Sequence, residues 1–353
     1  MAITKSYPEN APHILVLGVG GTIAGIAPDS SNPTAYKSGE VGIQALLEHI
    51  QDNIPDSLNI TCRQLANIDS CNLDEELLGD IGVVVRQSLS DPLVRGIVVT
   101  HGTDTIEEIG FFLSATCGKL AEALGKRVVL TGAMLPSNAQ GADGPQNFLD
   151  ALKWASTAPE NCSGGVYGVF AGKVCIARDL AKRHTSALNA PLMDSPTSPI
   201  GLINPSWLSM VKAVQESMGD DLPIPQGKWP WVEILVSHAG ASAQMVEALI
   251  GAKIDGLVLA GTGMGSVHQS WIMSLQKACE QGVALVRASR TGAGLVTDSQ
   301  DGLKCALAGS LSAPKARMAL QLALNAAKQV KTDPKSLTWQ DFFARIAVLP
   351  EFR

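Results

Sequence analysis

The chain has 353 residues, 46% hydrophobic and 17% charged, with a formal net charge of -6. Single cores rarely grow beyond about 250–300 residues, so two α/β domains are expected. Acids and bases are mixed along the sequence, without a basic stripe for nucleic acid or a polybasic segment for a membrane. Small molecules are therefore the expected partner class. Seven cysteines (Cys62, Cys71, Cys117, Cys162, Cys175, Cys279, Cys305) show no Cys-x-x-Cys pair, which indicates neither a disulfide framework nor a zinc site and fits a reducing cytoplasm. Met1 to Pro12 holds no apolar h-region, so neither a secretion signal nor a membrane span is expected.

In chain order, His13–Leu17, Gly96–Thr100, Arg127–Thr131 and Gly165–Phe170 read as strands, with helices starting near Gly42, Asp74, Asp104 and Asp143. That alternation predicts parallel strands with helical crossovers. Their near-continuous hydrophobicity predicts a sheet covered on both faces. Between residues 195 and 231 the pattern fails in Pro-, Ser- and Gly-rich sequence, read as the domain connection. A second set follows: Val232–Val236, a helix from Ser242, Gly256–Ala260, a helix from Ser266, and Ala284–Arg287. The last helix starts after Ser312, with Pro314 in its first turn. The expected domains are a larger N-terminal α/β domain at 1–205, with a mainly parallel open sheet flanked by helices, a linker at 206–231, and a smaller parallel α/β domain at 232–353.

The first strand runs into "GVGGTIAG", residues 18–25. A dinucleotide fingerprint needs a glycine at the sixth position, where Ile23 stands, and "GTGMGS" at 261–266 fails likewise at Ser266. The alternative is a sharp Gly20-Gly21 turn that leaves the hydroxyl of Thr22 at a strand's carboxyl end, where open parallel sheets place ligands. Thr22 can equally cap a short turn.

"VVTHGTDTIEE", residues 98–108, is a second strand, turn and helix start. Asp104-x-x-Glu107 and Thr105-x-x-Glu108 both fit a capping box, which leaves Thr103 unexplained. Its hydroxyl can face Thr22 across the crevice, beside backbone N–H groups able to bind an oxyanion or carboxylate. A hydroxyl nucleophile needs a base or charge to assist it. Lys182 in "ARDLAKRHTSA" is the candidate, although lysines in charged loops are mostly solvated surface. Pairing it with Asp104 would complete a Thr-Lys-Asp relay while favouring the ammonium over the neutral base.

Together "GGTIAG" (20–25), "HGTDTIEE" (101–108), "TGAMLPSNAQGADGPQNF" (131–148) and "ARDLAK" (177–182) resemble the bacterial-type L-asparaginase family, which includes glutaminase-asparaginases. The resemblance spans nearly the whole chain in order. It implies that Thr22 is the nucleophile, that Tyr36 is the tyrosine of a lid over it, and that Thr103, Asp104 and Lys182 form the second catalytic group. It further implies that Ser70 and Asp104 hold the α-carboxylate and α-amino groups of the substrate. The implied reaction is attack on the side-chain amide of L-asparagine, ammonia release, and hydrolysis of a β-aspartyl ester. No metal or organic cofactor is implied, and the implied assembly is a homotetramer of intimate dimers.

Three departures stand out against the resemblance. Cys71 occupies a substrate-binding position usually held by glutamine, Met264 replaces an asparagine that many members supply from the neighbouring subunit, and "RTGAGLVTDSQDG" lacks a glutamate, leaving Asp298 or Asp301 as substitutes. They suggest a cytoplasmic branch of low affinity or altered specificity, with glutamine hydrolysis the lesser activity. Alternatives are a glutaminase or other ω-amidase, a degenerate aspartate- or asparagine-binding protein, and an amidotransferase subunit, which the absence of an extra N-terminal domain and of a basic surface disfavours. His101 beside Thr103 suggests a triad, but no Gly-x-Ser-x-Gly elbow accompanies it and a packed loop histidine is expected. "SAPK" at 312–315 reads as a helix cap, and the six histidines show no metal-ligand spacing.

Overall fold

The computed structural model describes residues 11–32, 35–158, 163–188, 201–204, 207–210, 220–297, 301–330 and 337–347. The chain divides into two compact units, Met1–Ser217 and Met218–Arg353.

In the first unit β1 (His13–Gly20) leads through α1 (Ile43–Ile50) to β2 (Ile60–Ile68), and α2 (Glu75–Ser90) leads to β3 (Val94–Thr100). There follow α3 (Ile106–Ala123), β4 (Arg127–Thr131), α4 (Gly144–Ala155), β5 (Gly165–Phe170), β6 (Lys173–Ile176), β7 (Gly201–Asn204) and β8 (Trp207–Met210). The eight strands lie in the order β2-β1-β3-β4-β5-β6-β7-β8. From β2 to β5 every pair is parallel, and β6 to β8 add antiparallel at the far edge.

Alternation along the strands sends Ile14, Val16, Val98 and Val129 to one face, where Ile43 and Ile50 of α1 and Phe148, Leu152 and Trp154 of α4 complete a buried cluster. Helices α2 and α3 pack together over the other face. Both faces are thus covered, as the continuous apolar strands predict. The chain goes from β1 outward to β2, then back past β1 to β3. That reversal opens a crevice between the carboxyl ends of β1 and β3, where open α/β sheets bind ligands.

Two sequence expectations need correction here. Residues 207–210, inside the expected linker, pair with 201–204 as a hairpin on the first sheet. Residues 220–231 bury Leu222, Ile224 and Trp229 in the second unit, where Asn325 and Gln321 donate to the carbonyls of Pro223 and Pro230. Proline suits this irregular packing because it gives up no ladder donor.

The second unit contains β9 (Val232–Val236), α5 (Gln244–Gly251), β10 (Gly256–Gly261), α6 (Ile272–Glu280), β11 (Ala284–Ser289), β12 (Ala306–Leu307), α7 (Ala313–Val330) and α8 (Trp339–Ala347). Its four strands are parallel, in the order β12-β11-β10-β9. One face packs on α5 and α6 around Leu257, Leu259, Leu275 and Leu285, and α7, backed by α8, packs on the sheet. Ser312 accepts from the Lys315 N–H at 3.5 Å, as expected of the cap. Among the described residues no helix is long and apolar enough to cross a membrane.

Candidate active site

At the end of β1, Gly20 and Gly21 adopt φ of 111° and 83°, in the region open to glycine. A Cβ on Gly21 would lie 2.3 Å from the Gly102 Cα, and one on Gly20 would lie 2.5 Å from the Ile68 carbonyl oxygen. Only bare backbone lets the ends of β1, β2 and β3 meet this closely. Thr22 then opens a short 3-10 turn, Thr22–Ala24, and is 7% exposed. Its Oγ1 lies 2.7 Å from the Tyr36 Oη, so the two hydroxyls share one proton position between them.

Tyr36 is held by a tied-down loop. Ile26 and Lys37 exchange backbone hydrogen bonds of 3.1 and 3.0 Å, and a Cβ on Gly25 would collide with the Tyr36 ring at 2.8 Å. The loop between β4 and α4 fastens its base. Ser137 donates to the Gly25 carbonyl from both its amide and its hydroxyl, at 2.9 and 2.7 Å. Asn138 accepts from the Ala27 N–H at 2.8 Å and donates to the Ala27 carbonyl at 2.7 Å, so one amide satisfies both backbone groups of a buried residue.

Beyond β3, the Lys182 Nζ donates to the Thr103 Oγ1 at 2.9 Å and to the Asp104 Oδ1 at 2.5 Å. Thr103 is buried, whereas half of the Asp104 side chain faces solvent. Ser70, also buried, accepts from the Asp104 N–H at 3.3 Å, and its own carbonyl accepts from the Thr105 hydroxyl at 2.9 Å. Helix α3 begins at Ile106 with Thr105 as its unbonded cap. Neither capping box forms, because Asp104 is taken by Lys182 and Thr105 by Ser70. Asp74 does cap α2, accepting from Leu77 at 2.8 Å.

Thr22, Tyr36, Ser70, Thr103, Asp104 and Lys182 are therefore gathered at the strand ends of the first unit. Cys71 lies exposed beside them, its thiol pushed up by partial burial and then by the carboxylates of Asp69 and Asp104. That negative surround suits a cationic group of a ligand. His101 does not join Thr103. Its Nδ1 donates to the Gly102 carbonyl at 2.7 Å, and complete burial depresses its pKa to about 4, leaving a neutral packed ring.

Sequence reasoning passed over Ser137 and Asn138, although both lie in the quoted segment 131–148. Asp143 in the same segment accepts from the Met134 and Leu135 N–H groups and orders that loop rather than capping α4. In the second unit Asp301 grips the buried Arg287 at 2.9 and 3.0 Å, an ion pair that already occupies its carboxylate. Asp298 lies outside the described residues. Met264 is 59% exposed. Among the described residues no group of His, Cys, Asp and Glu is arranged to hold a metal.

Comparison with known proteins bears on the family. The family model "Asparaginase, N-terminal" matches residues 13–215 and "Glutaminase/Asparaginase C-terminal domain" matches 231–333. The chain is 33% identical to L-asparaginase 2 of Bacillus subtilis, covering 91% of this chain and 84% of that protein. It is 32% identical to L-asparaginase 2 of Escherichia coli, over 92% and 91%, and 30% identical to the glutaminase-asparaginase of Pseudomonas fluorescens, over 90% and 88%. Among solved structures, a probable cytoplasmic L-asparaginase from Campylobacter jejuni superposes with a TM-score of 0.82 at 30% identity, covering 94% of this chain and 99% of that one. Two family models in sequence order, extended relatives and the same fold together show that the chain belongs to the asparaginase family.

Proposed function

We propose that this protein is an L-asparagine amidohydrolase, releasing L-aspartate and ammonia, with Thr22 as nucleophile. The observation that carries the assignment is the unlike partnering of the two threonines. Thr103 accepts a hydrogen bond from Lys182, an ammonium that only donates and draws electron density from the oxygen. Thr22 shares its hydrogen bond with a phenol, in which either hydroxyl can be the donor. Of the two oxygens, that of Thr22 is the freer to attack.

The Thr22 Oγ1 attacks the side-chain carbonyl carbon, its proton leaving through Tyr36. The tetrahedral intermediate takes that proton on its nitrogen and expels ammonia to give a β-aspartyl ester, and water positioned at Thr103 cleaves it. Lys182, oriented by Asp104, supplies positive charge and protons at Thr103. Ser70, Cys71 and Asp104 line the place of the substrate α-carboxylate and α-ammonium groups, the half-exposed Asp104 carboxylate pairing with the ammonium. The chemistry asks for no metal or organic cofactor. The proposal extends to a cytoplasmic homotetramer of intimate dimers, with residues 1–205 catalytic.

The test is ammonia release over a concentration series of L-asparagine, with L-glutamine and D-asparagine alongside and Thr22→Ala as blank. Saturating release from L-asparagine, lost in Thr22→Ala, supports the proposal. Preferential release from L-glutamine would reassign the substrate. No release from any amide, with aspartate still bound, would identify a degenerate binding protein.

A further inference from the structure

Two cysteines of the second unit, far apart in sequence, meet on one core cluster. Cys279, at the end of α6, and Cys305, just before β12, both pack half-buried against the cluster around Leu275 and Leu285. Both also line one cleft of about 890 Å³ between β11, β12 and α8. The Cys279 Sγ lies 3.2 Å from the carbonyl oxygen of Lys304. Since that oxygen belongs to the peptide joining Lys304 to Cys305, the sulfur lies within about 6 Å of the Cys305 Cα. The two side chains are thus neighbours across a single peptide, and a disulfide, which needs Cα atoms about 4.4–6.8 Å apart, would form as the Cys279 sulfur turns from that carbonyl to the Cys305 sulfur.

The two thiols have different surroundings. Arg287, fully buried on β11, is within hydrogen-bond reach of Cys305. Burial opposes the Arg287 charge, and Cys305 and then Asp301 outweigh it and hold the guanidinium charged. A fixed cation beside a sulfur favours the thiolate, the nucleophilic form. The Cys279 thiol is pushed up, first by burial and then by Cys305 and Glu280, and so stays protonated. One sulfur is thus suited to attack an oxidant and the other to resolve the product. The half-buried cleft gives a small oxidant access.

We propose that Cys305 and Cys279 form a peroxide-sensitive dithiol, with Cys305 the attacking and Cys279 the resolving sulfur. The Cys305 thiolate attacks one oxygen of hydrogen peroxide. The O–O bond breaks, an S–O bond forms, and the released hydroxide takes up the proton lost from Cys305 to give water. The sulfur of Cys279 then attacks the sulfenic acid, forming the S–S bond. The S–O bond breaks and the departing hydroxide takes the Cys279 proton as a second water. In sum, two thiols are oxidised by two electrons and one peroxide is reduced to two waters. The link joins the end of α6 to the start of β12.

The test is peroxide treatment of the whole protein in a Cys71→Ser background, which removes the thiol that is exposed among the described residues, followed by denaturing alkylation and peptide mapping. The proposal expects a peptide pair joined through Cys279 and Cys305, an intact mass lower by two hydrogen atoms, and reversal by dithiothreitol. In Cys279→Ser the sulfenic acid should persist at Cys305 and be captured by dimedone, whereas Cys305→Ser should give neither link nor adduct. Circular dichroism confirms that each variant is folded. Both thiols remaining alkylatable after peroxide would overturn the proposal, and so would a dimedone adduct on Cys279 alone. Because the readout is covalent mass, neither result depends on the proposed amidohydrolase activity.

Discussion

Replacing Asn138 with alanine tests whether the loop bearing Tyr36 is held by the clasp at its base. The substitution removes two short hydrogen bonds, of 2.8 and 2.7 Å, to the N–H and carbonyl of Ala27. Ala27 is 2% exposed, so water does not readily replace them. Each such bond contributes about 1 kcal/mol net, and a buried backbone group left unpaired costs about 1–3 kcal/mol. The combined loss for the two groups is therefore about 2–6 kcal/mol. Ser137 still holds the Gly25 carbonyl, which keeps the loop attached and favours the lower end. If the clasp supports the placement of Tyr36 against Thr22, about 2 kcal/mol corresponds to a fall in kcat/KM of about 30-fold. The assay is steady-state ammonia release from L-asparagine, with thermal unfolding measured in parallel. Asn138→Asp keeps the acceptor for the Ala27 N–H but sets a carboxylate against its carbonyl, so it should fare no better than alanine. A kcat/KM within about twofold of wild type, in an Asn138→Ala protein that is folded, would refute the reasoning.

Tyr36→Phe removes the partner of the Thr22 hydroxyl and should lower kcat about 100-fold or more, with aspartate affinity measured by calorimetry changed only a few-fold. Lys182→Met leaves the hydroxyl of Thr103 and the carboxylate of Asp104 without their shared donor, and single-turnover kinetics should show ester hydrolysis slowed more than ester formation. His101, with a folded-state pKa of about 4 against 6.5 for the free side chain, binds its proton more readily when unfolded. Its contribution is fully present above pH 6.5 and is lost as pH falls towards 4, up to about 3 kcal/mol. Denaturant unfolding at pH 7 and pH 5 should therefore differ by about 2 kcal/mol more in wild type than in His101→Gln. Equal differences in the two proteins would place the acid sensitivity elsewhere.

Much of the site is written in local sequence because its main constraints are local. The Gly20-Gly21 pair marks a turn that no other residues could make where three strand ends converge, and a hydroxyl follows each of the touching glycines Gly21 and Gly102 by one position. The partners were harder to read because they are brought in over long chain distances. Lys182 reaches Thr103 across 79 positions, and Asn138 reaches Ala27 across 111. Nothing in the local pattern around Asn138 distinguishes a clasp from an ordinary loop amide. The helix start at 104–108 misled because Asp104 and Thr105 are good capping residues that tertiary partners claimed first. Strand β2 went unread because it is the edge strand, half-exposed and rich in polar residues, without the apolar run that marks β1, β3 and β4. The hairpin β7–β8 was hidden by its Pro- and Ser-rich surroundings. In the second unit, Asp301, one of the two acids offered as substitutes for a missing substrate ligand, is the counter-ion of a buried arginine, a pairing that spacing alone does not disclose.

The central claim is that Thr22, and not Thr103, carries the acyl group. Its most direct test is to mix the Lys182→Met protein with excess L-asparagine, quench in acid within the first turnover, and locate the covalent adduct by peptide mass spectrometry. The account predicts a β-aspartyl ester on the peptide containing Thr22, absent from a Thr22→Ala, Lys182→Met double variant. An adduct on Thr103, or stoichiometric ammonia release with no adduct on either threonine, would contradict it.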